Sequence, residues 1–174
     1  LILAKDGMLY GLTREGGANN MGALFQYNPV SHTLSKKIDF DDVTNGKYPD
    51  GSLTQAADGK LYGTTRKGGA YDAGTLFQYD LSNAMLVKKF DFDTLLGMYP
   101  EGTLVETNDG MLYGMTSSGG IHTSFIYPDG AGTLYQFNPS NSTPIKKYDF
   151  DGSLNGARPN GSLLRASDNN LYGV

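Results

Sequence analysis

Asp58-Gly59-Lys60-Leu61-Tyr62-Gly63-Thr64-Thr65 decides how this chain is read, because its centre returns three more times. Leu9-Tyr10-Gly11, Leu112-Tyr113-Gly114 and Leu171-Tyr172-Gly173 are the other copies, and successive copies lie 52, 51 and 59 residues apart. Self-similarity at such a period means one supersecondary unit per repeat, stacked on its neighbours to bury a continuous core.

Around that centre the spacing is strict. Each unit opens at Gly51-Ser52-Leu53, Gly102-Thr103-Leu104 or Gly161-Ser162-Leu163, with a proline two residues earlier at Pro49, Pro100 or Pro159. A turn such as Asp58-Gly59 or Asp109-Gly110 leads into Leu-Tyr-Gly, and a glycine pair follows at Gly16-Gly17, Gly68-Gly69 and Gly119-Gly120. A further glycine (Gly22, Gly74, Gly132) opens Ala-Leu-Phe-Gln-Tyr, Thr-Leu-Phe-Gln-Tyr or Thr-Leu-Tyr-Gln-Phe, and the aromatic of Asp-Phe-Asp comes later at Phe40, Phe92 and Phe150. The units are 1–50, 51–101, 102–160 and the opening of a fourth at 161–174. The third carries an inserted loop at 121–131.

Short apolar runs bounded by Gly, Pro, Asn and Asp, with no sustained 3.6-residue period, predict strands joined by turns. Four strands per unit are expected, at Ser52 to Ala56, Lys60 to Thr65, Thr75 to Tyr79 and Val87 to Asp93 in the second copy. Alternation places Thr75, Phe77 and Tyr79 on one face of the third strand and Leu76 and Gln78 on the other, so one face reads apolar and one wet. Lys36-Lys37, Lys88-Lys89 and Lys146-Lys147 mark the fourth strand as the outer edge, where lysines and acids discourage pairing with other chains. The simplest role for this Lys-Lys and Asp pattern is a solvated edge with weak cross-strand ion pairs; an acidic calcium loop at Asp41, Asp42 and Asn45 would need six or more converging oxygens.

A four-stranded antiparallel unit of this size, repeated radially, is the blade of a β-propeller, so the expected fold is all-β with about three and a third blades. Gly-Ser-Leu, Asp-Gly-Lys-Leu-Tyr-Gly-Thr-Thr, the glycine pair and Gly-Thr-Leu-Phe together resemble the bacterial tandem repeat called GloVer, found in choice-of-anchor surface proteins, over essentially all 174 residues. A kelch blade is a more distant likeness, since its fourth-strand tryptophan is missing and the chain has no Trp. The GloVer resemblance implies a secreted or cell-surface bacterial protein. Three units and a fragment form an arc, which would be closed by further blades of a longer chain or by an oligomer.

The net charge of −4 and the dispersed basic residues argue against a nucleic-acid partner. No apolar run is long enough to span a bilayer as a helix. Without cysteine there are no disulfides, no thiolate metal sites and no kelch-type copper centre. The only histidines are His32 and His122, too few for a histidine-based metal cluster, and no cofactor is expected. A Ser-His-Asp arrangement around His122 with Ser117, Ser118 or Ser124 has little support where Ser and Asp are common turn residues. The glycine pairs end strands and do not lead into helices, which points to backbone geometry and away from phosphate binding. Tyr10, Tyr62, Tyr113 and Tyr172 repeat at one blade position and are expected to pack between blades.

Recognition is expected where the repeat is broken, because insertions in repeat scaffolds project as loops on one face. The candidate binding loop holds His122, Phe125, Ile126 and Tyr127; a plainer role for its apolar residues is folding back over the neighbouring blade. In a kelch-like blade this loop shares a face with the link into the next blade, so Tyr127 and His122 would neighbour the segments holding Tyr48, Tyr99 and Arg158. The expected function is a non-catalytic scaffold binding protein or glycan at the cell surface. A structural accessory subunit and a propeller hydrolase or lyase are the alternatives.

Overall fold

The computed structural model describes residues 1–173 and contains strands and turns but no helix among them. Three four-stranded antiparallel sheets follow one another. The first is β1 (Ile2–Leu3), β2 (Leu9–Thr13), β3 (Ala23–Asn28) and β4 (Thr33–Asp39). The second is β5 (Thr54–Gln55), β6 (Leu61–Thr65), β7 (Thr75–Asp80) and β8 (Met85–Asp91), and the third is β9 (Met98–Glu106), β10 (Leu112–Ser118), β11 (Thr133–Asn138) and β12 (Thr143–Asp149). A two-stranded sheet, β13 (Leu164–Arg165) with β14 (Leu171–Tyr172), begins the fourth unit. Strand order within each sheet is sequential, a plain meander.

First strands of adjacent sheets lie against one another. Gly51 packs so closely on the Gly102 carbonyl, and Gly102 on that of Gly161, that a Cβ at either position would collide. The Thr54 hydroxyl donates to the Leu104 carbonyl at 2.5 Å, and the Thr103 amide donates to the Ser162 hydroxyl at 2.8 Å. The fourth strands diverge to solvent: β4 is exposed over Thr33–Lys37, as its lysines predicted. The sheets therefore fan out from their first strands, as blades do.

The core lies in the seams between blades. One apolar cluster joins Tyr10, Leu24 and Phe40 of the first blade to Leu53, Phe77 and Tyr79 of the second. The next joins Tyr62, Leu76 and Phe92 to Leu104, Tyr135 and Phe137. This corrects the expectation of one wet face, since a blade held between two others buries both: all of Thr75–Tyr79 is buried. Strand alternation is also broken in the fourth strand. Phe77 pairs with Lys88 while Leu76 pairs with Phe90, leaving Lys89 as the extra residue of a β-bulge. The same shift falls at Lys37 and Lys147.

Within each seam one aromatic ring is central. Phe77 lies directly across the ladder from Gly63, where a Cβ would sit 2.6 Å from the ring. Its ring also meets Phe40 of the preceding blade at 5.3 Å between centroids. Tyr135 repeats this with Gly114 and with Phe92 at 5.0 Å. The tyrosine of Leu-Tyr-Gly packs between blades too, Tyr10 against Tyr79 and Tyr62 against Phe137. Its hydroxyl returns to the turn, donating to Asp6, Asp58 and Asp168 at 2.8 Å in three copies.

Gly63→Ala is expected to cost about 1–3 kcal/mol by overpacking, lowering Tm by roughly 2–4 °C per kcal/mol for a chain of this size. Adding Phe77→Leu to Gly63→Ala should destabilise less than the two single changes summed, which a thermal double-mutant cycle checks. Burial, then the bond to Asp58, raises the Tyr62 phenol above its ordinary range, and burial does the same for Tyr135. Phenols that stay protonated in the fold favour it below their unfolded pKa near ~10, and this stability is lost as pH rises beyond that value. Tm should therefore fall steeply above about pH 10, with tyrosinate absorbance rising at the unfolding transition.

Candidate functional site

One face is built from two kinds of segment, the loops between second and third strands and the links from fourth strands to the next blade. Backbone bonds tie them: the Gly69 amide donates to the Asp42 carbonyl at 2.7 Å, and the Gly120 amide to that of Thr94 at 2.9 Å. The glycine pair makes this approach possible. Its first member presses on the preceding link, Gly68 against Gly46 and Gly119 against Gly97. Its second presses on an acid of its own blade, with Gly17, Gly69 and Gly120 against the carboxylates of Asp39, Asp91 and Asp149. Both members have positive φ, so a side chain would be strained there as well as crowded.

Those acids explain the Lys-Lys-x-Asp pattern. The bulge at the second lysine brings the first lysine alongside the aspartate, giving Lys36–Asp39, Lys88–Asp91 and Lys146–Asp149 ion pairs of 2.8–3.0 Å. The pairs run along one strand and not across strands. Each aspartate also accepts the amide following the glycine pair, at Ala18, Ala70 and Ile121. The Lys36 bond and then the Ala18 amide hold the Asp39 carboxyl below its usual range. The second acid of Asp-Phe-Asp caps the link turn. Asp41 accepts the Thr44 and Asn45 amides, and Asp93 and Asp151 do the equivalent. In the segment considered for calcium, Asp42 is paired with Lys47 at 2.9 Å and Asn45 bonds to Asp41 and Asp39 backbone. No cluster of His, Asp or Glu suited to a metal occurs among the described residues.

Links return to the next blade through a strained residue before proline. Tyr48, Tyr99 and Arg158 have φ of 58°, 57° and 53°, a left-handed conformation costly for bulky side chains. Their amides are held by the carbonyls of Met21, Ala73 and Ala131, and the following prolines lie on Gly22, Gly74 and Gly132. This fixes each side chain over the face. The Arg14 guanidinium lies 6.0 Å from the Tyr48 ring and that of Arg66 5.3 Å from Tyr99, within reach of cation–π attraction.

The third blade keeps the stack with its members exchanged. Ser117 stands where Arg14 and Arg66 stand, Arg158 replaces the tyrosine, and Tyr127 from the inserted loop lies 5.5 Å from the Arg158 guanidinium. The expected neighbourhood of Tyr127 and Arg158 is thus present. Tyr127 also packs on Gly152, and its amide is held by the Ser124 hydroxyl at 3.1 Å. At the loop base the Gly119 amide donates to the Asp129 carbonyl at 2.6 Å. Phe125 and Ile126 occupy the turn between these anchors and point outward, Phe125 fully exposed and Ile126 at 71%. They do not fold back over a blade. His122 stands apart, in a shallow cleft with Lys146, Tyr148, Asp151 and Asn155. The Ser117 hydroxyl faces the Tyr99 carbonyl and Glu101, that of Ser124 accepts the Tyr127 amide, and neither is bonded to His122 among the described residues.

A second constellation was not foreseen. Arg14 meets Asp50 at 3.0 Å, Arg66 meets Glu101 at 2.8 Å and reaches back to Asp50 at 3.8 Å, and the Ser117 hydroxyl lies between the Tyr99 carbonyl at 3.2 Å and Glu101 at 3.3 Å. Burial raises the Asp50 carboxyl against the lowering effect of Arg14 and Arg66. The charged pair occurs in the first two units and is replaced by Ser117 and Asn160 in the third. Its signal was the pairing of a charge at the end of the second strand with an opposite charge before the next opening glycine.

Four-stranded meander sheets fanned about their first strands, with seams between faces and loops gathered on one side, define a β-propeller segment. The chain belongs to the Gloeobacter/Verrucomicrobia repeat family, whose model matches residues 1–174. No curated protein matches the sequence. Among solved structures it is similar to the extracellular domain of a proposed one-component system from B. thetaiotaomicron, with TM-score 0.63 and 14% identity over 98% of this chain and 20% of that one. TolB from Acinetobacter baumannii gives 0.53 and 17% over 95% of this chain and 40% of that one. A protein proposed to be a gluconolactonase gives 0.53 and 14% over 97% and 60%. At such identities the likeness is one of fold, and this chain spans between a fifth and three fifths of those structures.

Asp149→Ala should free the base of the inserted loop. Hydrogen exchange at the Ile121 amide is expected to rise at least tenfold (~1.4 kcal/mol of lost protection), with the amides of β10 and β11 unchanged.

Proposed function

We propose that this chain is a non-catalytic propeller segment of a secreted or cell-surface bacterial protein, used as a scaffold that binds another protein through the loop face. The observation that carries the reading is the inserted loop: Tyr127 braces it against Arg158 and Gly152 while Phe125 and Ile126 are held out in solvent. A braced turn presenting two adjacent large apolar side chains suits recognition, because little ordering entropy remains to be lost on binding. The surroundings extend the patch. Each link presents one exposed aliphatic, Val43, Leu95 and Leu154, and Tyr71 stands exposed on the loop of the second blade. Exposed apolar groups gathered on one face mark interaction surfaces. The surface location is supported by membership of the repeat family and by likeness in fold to an extracellular domain.

The non-catalytic part of the proposal rests on how reactive groups are spent. The repeated acids cap turns and anchor loops, and the inserted loop supplies mainly apolar side chains.

A photo-crosslinking amino acid placed at position 125 should capture a protein partner on intact cells. Phe125→Ala with Ile126→Ala should abolish capture at neighbouring positions and leave Tm within about 2 °C, since exposed substitutions change stability by under about 0.5 kcal/mol. Undiminished capture by the double variant would refute the role of the loop.

A further inference from the structure

The Arg14–Asp50–Arg66–Glu101 ladder lines a cleft of about 550 Å³ beside the first strands, together with Gly102, Asn160, Gly161 and Ser162. We propose that this cleft is a saccharide-binding site for an uncharged sugar unit. It deepens the reading of this face as a recognition surface, yet uses none of the side chains on the inserted loop.

The chemistry of the walls selects the ligand class. Each arginine spends its Nε on a carboxylate, Arg14 on Asp50 and Arg66 on Glu101, while its terminal amino groups make no hydrogen bond to protein among the described residues. The Asn160 side chain is likewise without a protein partner among them. The cleft therefore offers planar donor forks, carboxylate acceptors and a free amide side by side. Vicinal sugar hydroxyls, each both donor and acceptor, match such alternation. Two cations and two anions cancel, so the wall has no net charge with which to hold a carboxylate or phosphate. An anion drawn to an arginine would meet Asp50 or Glu101 next to it, and such like-charge contacts work against the wrong ligand.

The forks are also held in place before any ligand arrives. Arg66 is held at Nε by Glu101 and lies 5.3 Å from the Tyr99 ring, while Arg14, more exposed, is held at Nε by Asp50 and reaches the Tyr48 ring at 6.0 Å; both tyrosines sit on the strained pre-proline backbone. Glu101 is held through one carboxylate oxygen by Arg66 at 2.8 Å, with the Ser117 hydroxyl 3.3 Å from the same oxygen, and its other oxygen faces no protein donor among the described residues. Locked planar groups lose little freedom on binding. The third unit supports the assignment. At the positions of the arginine and the acid it carries Ser117 and Asn160, neutral hydrogen-bonding residues, so the ladder ends where the open wall begins.

Calorimetric titration of the full chain with neutral gluco-, manno-, xylo- and chito-oligosaccharides, and with the matching uronate oligosaccharides, tests this. At least one neutral series should bind, and Asn160→Ala with Tm unchanged, and Arg14→Gln in protein still fully folded at the titration temperature, should each weaken it tenfold or more. Phe125→Ala with Ile126→Ala should leave sugar binding intact, which separates this site from the protein-binding loop. Binding of uronates alone, binding indifferent to Asn160→Ala, or no binding by any neutral series would each overturn the proposal.

Discussion

The fold hangs on a ring that must lie flat across a glycine. Phe77 crosses Gly63 on one side and meets Phe40 on the other, and Tyr135 does the same between Gly114 and Phe92. The glycine lets the ring sink onto its own sheet; the preceding blade then closes over it. Stability in a protein so arranged is shared between neighbours, because a blade without its neighbour leaves its largest side chains half wet. Leu-Tyr-Gly is conspicuous in the sequence for this reason: leucine and tyrosine enter the two seams, and the glycine makes room for the ring that joins them.

A second constraint fixes the surface. The bulge at Lys37, Lys89 and Lys147 turns an aspartate inward to take the amide after the glycine pair, so an outer strand steers a loop on the recognition face. The lysine pairs that looked like edge protection have two duties, the first lysine holding the aspartate and the second absorbing the extra residue. Positive-φ tyrosines before proline complete the frame, and what remains free is little more than the loop tips.

Much of this was legible from spacing alone. Period, strand order, outer strand and propeller class follow from positions of glycine, proline, aspartate and aromatics whose physical roles are few. The loop was legible as an interruption, and the meeting of Tyr127 with the Arg158 segment followed from blade topology. Two things were not. Alternation cannot reveal a bulge, because one extra lysine in a Lys-Lys pair leaves the apolar pattern intact. Nor can it tell which loop side chain is braced: Phe125, Ile126 and Tyr127 are all large, and only a neighbouring glycine at 152 and the guanidinium of Arg158 distinguish the third. The charged ladder is not legible locally because the partners in each pair are some thirty-five residues apart in sequence.

The exchange in the third blade reaches beyond its local contacts. Tyr127 and Arg158 are widely separated along the chain yet stack on one another, and Ser117 stands where the other blades have an arginine: the link arginine supplies the charge and the loop tyrosine the ring. All three positions of this set belong to one unit. Duplication of units with it and without it would yield two interchangeable kinds of blade, one closed and one bearing an arm, and a propeller assembled from them could vary the number and placement of its arms without altering a single seam.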